Sequence, residues 1–232
     1  MKLSRKIAVV TGVSKGIGRA TVDSLLDAGC VVVGWGRTKP QINNSDFYFF
    51  ETDVRDFQSV QKAYNETIDE VGEDISILIN NAGLGYEGFL DEMNLDLWHQ
   101  MFETNVDGTF YCSKLVIPKM KEMDMGHIIN ISSIAGTTGI PGMSGYVATK
   151  HAVRGLSHSM YKELRNFGIK VTCIYPGSVK TNFFDEIDSV EANDNMMKPE
   201  DIASTILHCL ESSDNYHHVD IEVRPLRPKG KK

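Results

Sequence analysis

Tyr146 and Lys150 stand four residues apart in SGYVATKHAV, residues 144–153. Four residues is about one helical turn, so a helix there puts a phenol and an ammonium on one face. Pairs of this kind also occur on solvated helix surfaces, where they do no chemistry. A chemical pair follows a different logic, because a neighbouring cation favours phenolate over phenol. An unperturbed tyrosine has a pKa of about 10, too high for an efficient base near neutrality. A unit charge ~4 Å away contributes on the order of 4 kcal/mol at an effective dielectric near 20. At about 1.4 kcal/mol per unit, the lysine is expected to lower the tyrosine pKa by roughly three units. The phenol could then give and take protons under ordinary conditions.

A second candidate is the turn TGVSKGIG, residues 11–18. Glycines at 12, 16 and 18 allow a tight backbone turn and close approach of a ligand. Free amides and the dipole at the following helix start suit a pyrophosphate. A tight turn with no ligand would use the same glycines, but its place between a first strand and a first helix points to a dinucleotide. The next strand end reads Gly36-Arg37-Thr38-Lys39. It lacks the carboxylate that holds the adenosine ribose hydroxyls in NAD sites. The Arg37 guanidinium can instead pair with a 2′-phosphate, and Lys15 adds charge nearby. A solvated loop would also carry Arg37 and Lys39. The expected cofactor is NADP(H).

These residues need a frame. Apolar runs recur at 6–12, 30–36, 47–53, 75–83, 126–133, 169–177 and 218–225. Most are nearly continuous rather than alternating, as in strands buried on both faces of a parallel sheet. Segments 17–28, 55–71, 95–120, 145–167 and 199–210 have helical spacing between them. Pro118 should kink or end its helix. Strand–helix alternation along the chain predicts one α/β domain spanning 1–232. It should be a Rossmann-like, doubly wound parallel sheet of about seven strands, flanked by helices on both faces. Ligands in such folds sit at the carboxyl ends of the strands. Here those ends are small, polar or turn-forming.

Composition bounds the function. The 232 residues suffice for a large core without metals or disulfides. The net charge, 24 − 31 = −7, argues against general nucleic-acid affinity. Residues 224–232 are expected to form a flexible basic tail. Cys30, Cys112, Cys173 and Cys209 form no C-x-x-C pair and suit buried thiols in a reducing compartment. His217 and His218 are adjacent and make a poor metal site, so no metal is expected. The apolar run 7–10 is too short for a signal-peptide core, and no stretch has the length of a membrane span. A cytoplasmic protein without membrane partners is expected.

Four motifs occur in order: TGVSKGIG at 11–18, NNAG at 80–83, Ser133, and Tyr146-x-x-x-Lys150, with serine and tyrosine 146 − 133 = 13 apart. With TNVDGTF (104–110) and YPGSVKT (175–181), the chain resembles the short-chain dehydrogenase/reductase family from Lys6 to about Val223. The resemblance implies that Tyr146 is the catalytic acid/base. Lys150 would bind the nicotinamide ribose and lower the tyrosine pKa. Ser133, rather than its neighbour Ser132, would hydrogen-bond the substrate oxygen. Asn105 would hold a water in a proton relay behind the lysine, although a packing role would also fit it. Gly12, Ser14, Lys15, Gly16, Ile17 and Gly18 would form the glycine-turn part of the cofactor site. Asp53 would meet the adenine with Val54 beside it, and Asn81, Ala82 and Gly83 would wall the adenosine ribose. Pro176, Gly177, Val179 and Thr181 would lie along the nicotinamide, Thr181 binding its carboxamide. Family members assemble through two long helices, here about 95–117 and 145–167, so a homotetramer or homodimer is implied.

The function this implies is NADP(H)-dependent hydride transfer between the nicotinamide and a small-molecule carbonyl or secondary alcohol. Other readings are a 3-oxoacyl-thioester reductase, a non-catalytic NADP(H)-sensing regulator, and an epimerase or dehydratase using the same Tyr and Lys. Residues 178–201, with Phe183, Phe184, Ile187, Met196 and Met197, form the expected substrate lid, faced by the loop 84–94.

Overall fold

The computed structural model describes residues 2–181, 183 and 193–228. Seven strands form one sheet: β1 (Ile7–Thr11), β2 (Val31–Gly36), β3 (Phe47–Glu51), β4 (Ile75–Asn80), β5 (Gly126–Ile131), β6 (Ile169–Pro176) and β7 (Asp220–Val223). Their order is β3-β2-β1-β4-β5-β6-β7, with every pair parallel. This is the doubly wound, Rossmann-like arrangement expected from the sequence, and the order reverses between β1 and β4. The helices are α1 (Gly16–Asp27), α2 (Phe57–Glu70), α3 (Leu95–Phe102), α4 (Gly108–Glu122), α5 (Ser144–Leu164) and α6 (Pro199–Glu211). None is long and apolar enough to cross a membrane among the described residues.

Alternate strand residues feed two apolar layers. Ala8, Val10, Val32 and Ile174 pack with Val22 and Leu25 of α1 and Ile206 of α6. Val9, Val33 and Val171 pack with Val60 of α2, Val116 of α4 and Leu164 of α5. The continuous apolar runs therefore serve both faces of the sheet. Between β1 and β4 the register steps from Ile7↔Ile75 to Ala8↔Ile77. That bulge sends Ile75 and Ile77 to opposite layers although they are two apart. The four cysteines are buried and unpaired.

One expectation needs correction. The single helix predicted over 95–120 is interrupted by a π-helical turn, Glu103–Asp107, between α3 and α4. Of the two outcomes expected at Pro118, a kink or an end, the end does not occur, since α4 runs on to Glu122. Pro118 and Lys114 are both exposed, so the Lys114 carbonyl that loses its helical donor can turn to water. Elsewhere, Asp56 caps α2 by accepting from the Gln58 amide (2.9 Å), which moves that helix start past the predicted Arg55.

A polar line crosses the middle of the sheet. Asn80 of β4 is in register with Asn130 of β5. Asn80 Nδ2 donates to Asn130 Oδ1 (2.8 Å) and to Ser113 Oγ of α4 (3.1 Å). Asn130 Nδ2 donates to Ser157 Oγ of α5 (2.8 Å). All four residues are buried. Removing one partner of such a bond costs about 1–3 kcal/mol in unmet desolvation. Asn130→Ala should therefore lower the unfolding free energy by roughly 2–4 kcal/mol, read as a lower urea midpoint at unchanged slope.

Candidate active site

A cleft of about 600 Å³ opens at the carboxyl ends of the strands. It lies over the switch point, where Thr11 of β1 and Asn81 after β4 tie the two halves of the sheet together. Asn81 Nδ2 donates to the carbonyls of Thr11 (2.9 Å) and Gly12 (3.1 Å), and Thr11 Oγ1 accepts from the amides of Asn81 (3.0 Å) and Ala82 (2.9 Å). These bonds fix the glycine turn from behind. Gly12 and Gly16 have φ of 71° and 59°, the left-handed region that favours glycine. Lys15 precedes α1 in extended conformation, and no side chain caps the helix start. Its first amides are left for a ligand in the cleft.

Every residue predicted for the site lines this cleft except Gly18 and Asn105. Gly18 is buried against the turn. A Cβ there would stand 2.2 Å from the Gly12 carbonyl oxygen and 2.4 Å from Asn81 Nδ2. Its glycine is required by helix-to-turn packing, not by ligand contact. Asn105 sits in the π turn with its side chain fully engaged. Its Nδ2 donates to the Leu84 carbonyl (2.8 Å) and to Thr149 Oγ1 (2.9 Å), and its Oδ1 accepts from the Leu84 amide (2.9 Å). The side chain clamps the loop after β4 onto α5.

At one end of the cleft Arg37 is exposed at the close of β2. Asp53 is ion-paired with Arg55 (2.6 Å). The Arg55 hydrogen bond holds the Asp53 carboxyl below its ordinary pKa, with burial opposing and Arg37 adding a smaller push the same way. Arg55 was not among the predicted residues. Its signal was its place two residues past an acid at a strand end.

At the other end, Tyr146 occupies the first turn of α5 and packs with Met101, Ala135 and Met143. The Phe183 ring lies over it, centroids 5.2 Å apart. Ser133 Oγ accepts from the Ala135 amide (3.1 Å). Ser132 is buried and donates to the Lys150 carbonyl (3.0 Å), which gives it a structural partner. Lys150 is buried one turn along α5, its Nζ 5.6 Å from the Tyr146 ring centroid and donating to the Ile131 carbonyl (2.9 Å). A Cβ on Gly83 would fall 3.2 Å from Asn105 Oδ1 and 3.4 Å from Lys150 Nζ, so the loop after β4 passes directly over the ammonium.

The expected lowering of the tyrosine pKa is not found. Burial pushes the Tyr146 phenol up to about 12, with only a Ser133 hydrogen bond acting the other way. The ammonium faces a backbone carbonyl rather than the phenol. Burial also pushes Lys150 down to about 8. Of the predicted lid, Phe184 and Ile187 lie outside the described residues; Phe183 is in the cleft wall.

The chain matches the short chain dehydrogenase family over residues 6–192. It belongs to that family. An uncharacterized oxidoreductase of Staphylococcus aureus strain MRSA252 is 33% identical over 231 residues, covering 97% of this chain and 99% of that protein. A serine dehydrogenase solved in closed form with NADP+ superposes with a TM-score of 0.86 at 28% identity, over 95% of each chain. ElxO with NADP bound gives 0.84 at 30%, over 94% of this chain and 97% of that one.

The buried lysine gives this dehydrogenase a pH signature. Its folded pKa, about 8, lies below the ordinary 10.5. The unfolded chain therefore holds the extra proton between those values, and stability rises with pH across that window. The gain is complete above about 10.5 and is lost as pH falls through about 8. Raising the pH from 7.5 to 10.5 should stabilise the parent relative to Lys150→Met by about 3 kcal/mol, measured by urea unfolding of both proteins.

Proposed function

We propose that this protein is an NADP(H)-dependent oxidoreductase that interconverts a carbonyl and an alcohol on a small molecule. One observation carries the reading: a single cleft joins an uncapped helix start and Arg37 at one end to Tyr146 and Ser133 at the other. The glycine turn fits a pyrophosphate, and the cleft volume lies in the range of ligand sites, roughly 300–1,000 Å³. The NADP-bound serine dehydrogenase and ElxO structures support the choice of cofactor.

When bound, the nicotinamide supplies or accepts the hydride. The amides at the start of α1 hold the pyrophosphate, and Arg37 pairs with the 2′-phosphate. In reduction, Tyr146 Oη gives its proton to the substrate oxygen. A phenol near 12 is protonated at neutral pH, and the alkoxide it meets is a far stronger base, its conjugate acid being about as weak as water itself. The Ser133 hydroxyl hydrogen-bonds the same oxygen as charge develops. Lys150, still mostly cationic at neutral pH, stabilises the phenolate left after transfer rather than the resting phenol. Oxidation uses the same groups in reverse. Having Ser133, Tyr146 and Lys150 together in the cleft favours catalysis over a purely sensing role.

Tyr146→Phe should cut turnover by at least about 10³-fold while NADPH affinity, measured by fluorescence titration, changes little. Turnover at parental level would refute the proton-donor assignment. Arg37→Asp should weaken NADPH by on the order of tenfold to a hundredfold and leave NADH within a few fold. Equal losses in steady-state KM for the two cofactors would remove Arg37 from 2′-phosphate binding.

A further inference from the structure

The cleft is electrically lopsided. Lys15, Arg37 and the Arg55–Asp53 ion pair line the end built by the glycine turn, β2 and β3. Around Tyr146 the lining cation among the described residues is Lys150, and its ammonium is engaged by Ile131. The sequence makes the contrast general. Segments 80–113, 122–149, 171–179 and 181–197 contain no Lys or Arg. Lys180, between the last two, is exposed and ion-paired with Asp194 (2.5 Å). His99 and His127 fall in these segments but do not line the cleft.

Apolar surface takes the place of charge at this end. Tyr86, Met143 and Phe183 pack with Tyr146, and Ile140 lines the same cleft. Gly85 forms the floor beneath them. A Cβ there would stand 2.7 Å from Phe183 Cζ and 2.8 Å from Tyr146 Cδ2. The Tyr86 hydroxyl is turned away to Gln100 Oε1 (3.3 Å). The Gly88 amide donates to the Gly142 carbonyl (2.8 Å), pinning the loop after β4 to the loop before α5. Beside that junction stand Phe89 and Leu90, 64% and 68% exposed, and Ile140 lies on the loop it is pinned to.

We infer that the substrate is an uncharged carbonyl compound with an aromatic or branched aliphatic body, and that the site discriminates against carboxylate- and phosphate-bearing carbonyls. The inference rests on the oxidoreductase reading above. An anion entering this end would lose its hydration and meet a single ammonium, Lys150, that the Ile131 carbonyl already engages. An apolar body gains about 25 cal/mol for each Å² it buries against these side chains.

Ethyl benzoylformate and benzoylformate test this, since they share one ketone and differ in bearing an ester or a carboxylate. With NADPH, kcat/KM should favour the ester by at least a hundredfold. Calorimetry on Tyr146→Phe with NADPH present should show the same order of binding without turnover. Ile140→Arg should narrow the ratio at least tenfold. Equal rates, a preference for the acid, failure of the ester to bind, or a ratio untouched by Ile140→Arg would each overturn the inference. The oxidoreductase reading itself would fail differently, by absence of binding of both NADPH and NADH in a fluorescence titration of the parent protein.

Discussion

The site is organised around one buried ammonium that takes a backbone carbonyl as its partner. Lys150 Nζ donates to Ile131 at the end of β5, and the Lys150 carbonyl accepts from Ser132 just beyond. The preceding residue, Thr149, accepts from Asn105 of the π turn and donates to the Tyr146 carbonyl. Two adjacent residues of α5 thus lock together the helix, the central strand end, the π turn and the loop after β4. Burying a cation against a neutral dipole is costly, and the depressed lysine pKa records that cost. The cost is accepted where an element must be placed to within a fraction of an ångström, and what is placed here is the phenol one turn earlier on the same helix.

The distribution of charge along the cleft complements that placement. Lys15 and Arg37, beside the Arg55–Asp53 ion pair, make the glycine-turn end suited to phosphates, and the far end is nearly free of lysine and arginine. On the proposed reading, the charges that recruit the cofactor are not those that line the apolar part of the cleft around Tyr146. Polar anchoring and apolar discrimination are divided between the two ends, and Tyr146 lies on the apolar side. The same apolar packing that shapes the pocket is what raises its pKa.

Much of this was legible in the sequence. Strands buried on both faces show as unbroken apolar runs, so the sheet and most strand positions follow from hydropathy. The Tyr146–Lys150 spacing and the glycine turn depend on local geometry that sequence encodes directly. Features that depend on where a long side chain finally goes were not legible. The direction of the Tyr146 shift turns on whether the lysine faces the phenol or Ile131, which residue spacing leaves open. Asn105 was found, but its role depends on the π turn, and a single extra residue in a helical winding leaves no periodic mark in a segment that is apolar on several faces. Pro118 left two outcomes open, and its exposure, more than its identity, decided that the helix could continue. Arg55 escaped notice because helical spacing makes it the first residue of a helix, whereas the Asp56 cap leaves it in the cleft wall, ion-paired with Asp53.

A resting phenol near 12 has a consequence for direction on the proposed reading. Only about one molecule in 10⁵ carries phenolate at pH 7. Reduction begins from the populated protonation state, and oxidation must first draw on the rare one. An enzyme cannot alter the equilibrium between ketone and alcohol, so the asymmetry acts on rates through the fraction of molecules poised to react. Lys150 bears on that fraction only when its ammonium exchanges the Ile131 carbonyl for the developing phenolate. In the resting site that nitrogen lies 5.6 Å from the ring centroid. The carbonyl bond that positions α5 is therefore also a competitor for the charge the reaction creates. The strength of that bond helps set how readily the tyrosine gives up its proton.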